Sequence, residues 1–300
     1  MEIIEDISTK QLMETFRKKE STNSVCTVIL KVDNPKLGIS KKMFDIDLCG
    51  KTFLEWAQNS VFDTTIRYVD YTFGEDFLPA VKRATDSNSK YTFVLFTDTP
   101  LFQHKTFLQI MEYFQMKGLS VLKLTRGYVF ETKYLMQIDS LLNPQTQYFE
   151  EEDFITCYSL KQYSMISDIM KNRILTYFMK NGVIFEDPSS TFVDADVQIG
   201  KDTVVAPFNQ LKGKTVVEGG VYLGSNNIII DSVVCEGAKI TKSCVSNSMV
   251  GKNATINEFT KISNNSRICD GATVPAGCTV NGAVVCAGDE LKSFVSYEGK

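Results

Sequence analysis

Histidine is nearly absent: His104 is the only one in 300 residues, which excludes a histidine-rich metal site. The eight cysteines include no C-x-x-C pair, so a tight zinc or redox motif is excluded as well. They read as reduced thiols of a cytoplasmic protein, several serving as small apolar fillers. No excess of positive charge exists. The 32 Lys and Arg against 36 Asp and Glu give a formal net charge of -4, which lacks the basic footprint of a nucleic-acid binder. No apolar run is long enough for a membrane helix, so no membrane partner is expected. The opening MEIIEDISTKQLMETFRKKE lacks an apolar core and is not expected to be a signal peptide.

What is present is a beat of six. Aliphatic residues recur at Ile199, Val205, Leu211, Val217, Leu223 and Ile229, and again from Val250 through Ile256, Ile262, Ile268, Val274 and Val280. Between these runs the pattern is less regular, with Val234, Ile240 and Val245 on mixed steps of five and six. Alternation of two makes an ordinary strand and 3.6 makes a helix, and neither produces this pattern. A parallel β-helix does. Each unit supplies a short strand and a corner, and three units close a triangular coil of about 18 residues whose aliphatic residue points inward. Corner residues agree: Gly and Asn crowd the intervening positions, including Gly213, Gly237, Asn226 and Asn253. The rival antiparallel meander would need hairpin signals, and only Asn281-Gly282 offers one.

The first half reads as alternating strands and helices. The run SVCTVILK (Ser24 to Lys31) predicts a buried strand, followed by a turn-rich loop and a helix over Lys51 to Val61. Further strands are expected at Ile66 to Tyr71, Tyr91 to Phe96 and Leu119 to Leu124. Helices are expected at Phe77 to Ala84, Thr106 to Lys117, Lys133 to Leu142 and Ser164 to Lys180. This order implies an α/β domain with a mostly parallel sheet, whose ligands bind beyond the C-terminal strand ends. The expected organisation is an N-terminal arm or helix over 1–22, an α/β domain over 23–187 and a β-helix over 188–300.

Asp98, in TDTPL, follows the most hydrophobic strand, where a carboxylate could supply oxygen to Mg²⁺ beside substrate phosphates. The bland alternative is a turn Asp or helix cap. The loop Asp33 to Met43 carries Lys36, Lys41 and Lys42 and could wrap an anion. It holds one glycine, Gly38, where a phosphate cradle normally has several, and its lysines suit a solvated loop equally well.

With these residues in view the chain resembles the bacterial bifunctional enzyme family that makes UDP-N-acetylglucosamine, as a truncated and divergent member. That family joins a sugar-phosphate uridylyltransferase to a left-handed β-helix acetyltransferase. The strongest likeness is the junction MKNGVIFEDPSSTFVDADVQIGKDTVVAPFNQLKGKT, Met179 to Thr215. TDTPL resembles the family's G-D-x-P-L, which implies a Mg²⁺-binding role for Asp98, with Thr97 in place of the glycine. KKMFDIDLCGKTFLEW resembles the P-K-x-L segment and the G-K-P after it. Lys42 thereby falls on the substrate-binding lysine and Gly50-Lys51 on the second part. FGED sets Gly74 near the family's G-T beside base and sugar, and Lys36 is taken to offset phosphate charge.

Departures accompany the likeness. LKVDNPKLG stands where the glycine-rich loop with its catalytic Arg belongs, and Tyr158 stands near the place of the second metal-binding Asn. FVSYEGK resembles the acetyltransferase segment H-L-x-Y-x-G-D, with Phe294 for the catalytic His and Lys300 for the Asp. Phe cannot act as a general base, so acetyl transfer is not expected.

Two readings result. One is a divergent sugar-1-phosphate nucleotidyltransferase that moves a nucleotidyl group from an NTP, expected to be UTP, to an amino-sugar or hexose 1-phosphate with Mg²⁺ held by Asp98. The other is a catalytically inactive relative serving as a nucleotide-sugar-binding or assembly scaffold. The resemblance also implies a homotrimer built through the β-helix.

Overall fold

The computed structural model describes residues 24–34, 40–141, 144–289 and 291–299. The expected arm over 1–22 and Lys36 lie outside them. The chain divides into two compact units between Asp168 and Ile169.

In the first unit, β1 (Val25–Asp33), β4 (Thr65–Thr72) and β5 (Tyr91–Phe96) are the parallel strands, and β1 lies between the other two. Every residue of β5 is buried, as its unbroken apolar run requires. Two further strands, β6 (Val121–Leu124) and β7 (Gly127–Glu131), complete a five-stranded sheet in the order β4-β1-β5-β7-β6. β7 runs antiparallel to both β5 and β6. Its orientation has a simple cause: only Thr125 and Arg126 separate β6 from β7. A parallel return would need a crossover of a dozen or more residues.

Before the helix α1 (Phe53–Ser60) a small antiparallel hairpin forms from β2 (Asp47–Leu48) and β3 (Lys51–Thr52). Its two-residue turn, Cys49 and Gly50, takes positive φ at both positions, the demand of the turn that matches strand twist. The expected helix over Lys51 to Val61 therefore starts two residues later. Its start is set by a capping box, in which the Thr52 side chain accepts from the Glu55 N–H and Glu55 accepts from the Thr52 N–H at 2.6 Å. Three more helices follow: α2 (Leu78–Ala84), α3 (His104–Lys117) and α4 (Thr132–Gln137). α3 ends on Gly118 in the left-handed conformation. Phe93, Phe107, Met111 and Phe114 anchor the core between sheet and helices. The long helix α5 (Leu160–Lys180) runs across the division of the chain.

The second unit is a β-solenoid. Its strands run from Ile184–Phe185 to Ser296–Glu298 and stack into three parallel sheets of six, six and seven strands. The sixfold beat is the stacking pattern itself. Ile199, Val217, Val234, Val250, Ile268 and Val285 sit in register in one sheet, all buried. At the irregular patch the steps of five shorten the coil, and hydrogen-bonded partners there lie 16 residues apart rather than 18. The pairing absorbs the deletion without leaving the stack.

Two corners carry buried polar ladders. Asn209 Oδ1 accepts from the Asn227 backbone N–H, Asn227 Oδ1 from the Ser243 N–H, and Ser243 Oγ from the Thr260 N–H. A second ladder passes from Ser232 to Ser248, Ser266 and Ala283, each hydroxyl accepting the next coil's N–H. Corners expose backbone groups that no strand satisfies, and these side chains take their place.

Candidate functional site

β5 ends at Phe96, and the next three residues form the C-terminal sheet edge where a ligand of this fold would sit. Thr97 turns inward. Its N–H donates to the Leu30 carbonyl and its Oγ1 accepts from the Val32 N–H at 2.9 Å, so it stitches β5 to β1. A glycine at this position would leave that space for backbone or ligand.

Asp98 is buried, and its carboxylate is taken up by Arg126, from the tight β6–β7 turn. Nη2 donates to Oδ2 at 2.6 Å and Nε to Oδ1 at 3.1 Å, a bidentate pair. The Asp98 side chain is 2% exposed and that of Arg126 is 21% exposed. Arg126 is itself held by aromatic faces, its Cζ lying 3.9 Å from the Phe96 ring centroid and 5.7 Å from that of Phe73. Burial pushes the Asp98 carboxyl up from its ordinary value, and the Arg126 guanidinium pulls against that shift. The Asp98 carbonyl accepts from the Cys157 N–H at 2.8 Å. Burial, joined by the Asp98 charge, pushes the Cys157 thiol up to about 11.

A divalent cation does not fit these residues as they stand. Mg²⁺ would have to share both Asp98 oxygens with a guanidinium already bonded to them. Among the described residues no three His, Cys, Asp or Glu side chains converge on a point suited to a metal. Tyr158, near the expected second ligand position, is exposed, and its N–H donates to Gln162 Oε1.

The other expected residues divide between two clusters. Gly74 belongs to the Asp98 neighbourhood: it follows Phe73, takes φ +99° and donates its N–H to the Tyr71 hydroxyl at 3.4 Å. Tyr71 meets Phe96 edge-on at 5.5 Å, and Phe77 bridges Phe96 and Tyr128. Lys42 is placed by its contact with Phe44. It is exposed, with Nζ 5.6 Å from the Phe44 ring centroid. Lys31 approaches the same ring at 5.3 Å and pairs with Asp70 at 2.7 Å. That ion pair holds the Asp70 carboxyl below its ordinary value. Gly50-Lys51 is spent on the hairpin. Arg126 was not among the expected site residues. Its signal in the sequence was slight, a single basic residue in a two-residue turn.

The chain joins a mostly parallel α/β unit to a hexapeptide solenoid, with a carboxylate at the end of the central strand. Parts of it are similar to known proteins. The model of the GMPPB C-terminal domain matches residues 188–300. The bifunctional protein GlmU of Clostridium novyi is 36% identical over 138 residues, covering 46% of this chain and 30% of the relative. That of Caldanaerobacter subterraneus subsp. tengcongensis is 40% identical over 113 residues, 38% of this chain and 25% of the relative. In Streptococcus thermophilus the match is 29% over 200 residues, 58% of this chain and 43% of the relative. The chain is similar to part of these bifunctional GlmU proteins and spans less than half the length of each.

Proposed function

We propose that this chain is a divergent relative of the sugar-1-phosphate nucleotidyltransferases that does not catalyse nucleotidyl transfer. Its α/β unit serves as a nucleotide-sugar-binding or interaction platform and its solenoid as an assembly spine. The observation that carries this reading is the bidentate Asp98–Arg126 pair. In nucleotidyl transfer a sugar phosphate attacks the α-phosphate of an NTP and pyrophosphate leaves. The catalyst's work there is positioning and neutralising phosphate charge. A carboxylate already neutralised by an internal cation has little left to offer Mg²⁺. Thr97 also fills, with its side chain, the place where the family's glycine would let a ligand approach.

The platform keeps recognisable binding chemistry. Arg126, partly exposed over Phe73 and Phe96, is a cation at the sheet edge suited to phosphate. Lys42 and Lys31 flank Phe44 as a second basic patch. An anionic nucleotide sugar would be met by these side chains. For the solenoid, the outward residues of one sheet run Gln198, Val216, Val233, Met249, Arg267 and Val284. This largely apolar strip supports the homotrimer, and light scattering of a monomer at micromolar concentration would remove that part of the reading.

The test is release of pyrophosphate from UTP and N-acetylglucosamine 1-phosphate with Mg²⁺ present. No release above that of an Asp98→Ala variant is expected. Release that needs Mg²⁺ and is lost in the variant would establish the catalytic reading, in which Arg126 leaves Asp98 to a metal.

A further inference from the structure

Two cysteines face each other on successive coils of the solenoid. Cys269 and Cys286 directly follow the paired residues Ile268 and Val285, and the Cys269 N–H donates to the Val285 carbonyl at 2.8 Å. Their sulfurs lie 3.4 Å apart. Cys286 is exposed and Cys269 half-buried, so reagents reach the pair. In-register neighbours on adjacent parallel strands sit about 5 Å apart at Cα, within the span a disulfide bridges. We propose that Cys269 and Cys286 form a dithiol modification site that a small-molecule disulfide oxidises to an intramolecular disulfide, clasping the last strand of its sheet to the coil before it.

The same stack restricts the pairing. Cys235 occupies the equivalent position two coils earlier, and Gly251 occupies the one between. A Cβ on Gly251 would lie 2.7 Å from the Cys269 carbonyl carbon, so the coils are packed tightly there. Cys235 is buried and two coils away from Cys269. Cys278 is buried too, and its thiol contacts the Lys292 carbonyl at 3.4 Å. Only the outermost two of the stacked cysteines are both adjacent and accessible.

The chemistry balances as two exchanges. The Cys286 thiolate attacks the reagent disulfide, forming a mixed disulfide and expelling one reagent thiolate. The Cys269 thiolate then attacks the Cys286 sulfur, forming the intramolecular bond and expelling the second. Two protein thiols are oxidised, one reagent disulfide is reduced to two thiols, and the cysteine protons pass to the leaving thiolates. The contact with Cys269 pushes the Cys286 thiol up, with Asp289 adding to the shift and Arg267 opposing it. Thiolate is therefore scarce near neutrality, and the first exchange accelerates as pH rises.

What the bond would fasten is Val284–Val285, the last strand in its sheet and hydrogen-bonded on one side only. The closed loop spans 17 residues. Such a cross-link reduces the freedom of the unfolded chain and holds the edge strand in place.

The experiment treats the full chain with oxidised glutathione, alkylates the remaining thiols and maps peptides by mass spectrometry without reduction. The expected result is joint loss of alkylation at Cys269 and Cys286, one linked peptide pair and a mass lower by about 2 Da. Tm should rise by about 5 °C and return on reduction. Cys286→Ser and Cys269→Ser, both checked for fold by circular dichroism, should each abolish the link and the Tm response. A mixed disulfide resting on Cys286 while Cys269 stays alkylatable would overturn the proposal. A bond between chains or to another cysteine, or a link that leaves Tm unmoved, would do the same.

Discussion

Removing the guanidinium from Arg126 should cost more than removing the carboxylate from Asp98. Asp98 is the deeper partner, with a side chain 2% exposed, and Arg126→Ala strands it without a counter-charge. The expected loss is about 3–5 kcal/mol. Asp98→Ala leaves an arginine that already reaches solvent and can turn outward, for about 1–2 kcal/mol. The double change Asp98→Leu with Arg126→Met should recover much of the larger loss, because a packed apolar pair needs no compensation for desolvation. Urea denaturation of the three variants measures the order. Cys157 gives a prediction in pH. The folded protein holds that thiol proton to about 11, against 9.0 for an unperturbed thiol. Its contribution to stability is therefore complete below about pH 9 and is lost as pH rises toward 11. Cys157→Val should shrink the fall in urea midpoint across that window, and an unchanged fall would place the loss elsewhere. At this scale the sequence was half legible. The position of Asp98 at a strand end followed from the apolar run before it. Its partner lies 28 residues on, in a turn with no periodicity, and only the fold brings the two together.

Among the elements, the solenoid was the most legible, because its repeat is a direct projection of the stacking. Each inward aliphatic has a partner one coil away, so local composition and tertiary contact carry the same signal. The sheet of the first unit was legible in its parallel strands and in β6, and not in β7 or its antiparallel direction. Orientation there depends on the length of one turn, and the run after Arg126 gave no separate strand signal. The corner ladders were not legible either, since Asn and Ser suit any turn and only the stack aligns them. Their weight can be measured. Asn227 is fully buried, and its Nδ2 donates to Asn209 Oδ1 and to the Gly224 and Ile240 carbonyls. Asn227→Ala should cost roughly 2 kcal/mol, chiefly by leaving the Ser243 N–H unpaired, since Asn209 Oδ1 and the two carbonyls each keep another donor. Phe259 is the contrasting case, an exposed corner residue at φ +60°. Phe259→Gly should leave stability unchanged or raise it by about 1 kcal/mol, because the left-handed conformation strains a side chain with a Cβ. Thermal unfolding of both variants checks the pair.

For the whole molecule, the two units carry different kinds of information. The solenoid retains the full pattern its fold requires, and the matched model over residues 188–300 reflects that. The α/β unit retains its sheet and its strand-end carboxylate, while Thr97 and Arg126 have taken up the space and charge around it. On the proposed reading this arrangement serves a binding or assembly role, since function belongs to the site. The measurement that tests this most directly is calorimetric titration of the protein with UTP, and with UDP-N-acetylglucosamine, each with and without Mg²⁺. The account predicts that Mg²⁺ changes neither isotherm, and that any binding of the nucleotide sugar weakens in Arg126→Met. Micromolar binding of UTP that requires Mg²⁺ and vanishes in Asp98→Ala would contradict it.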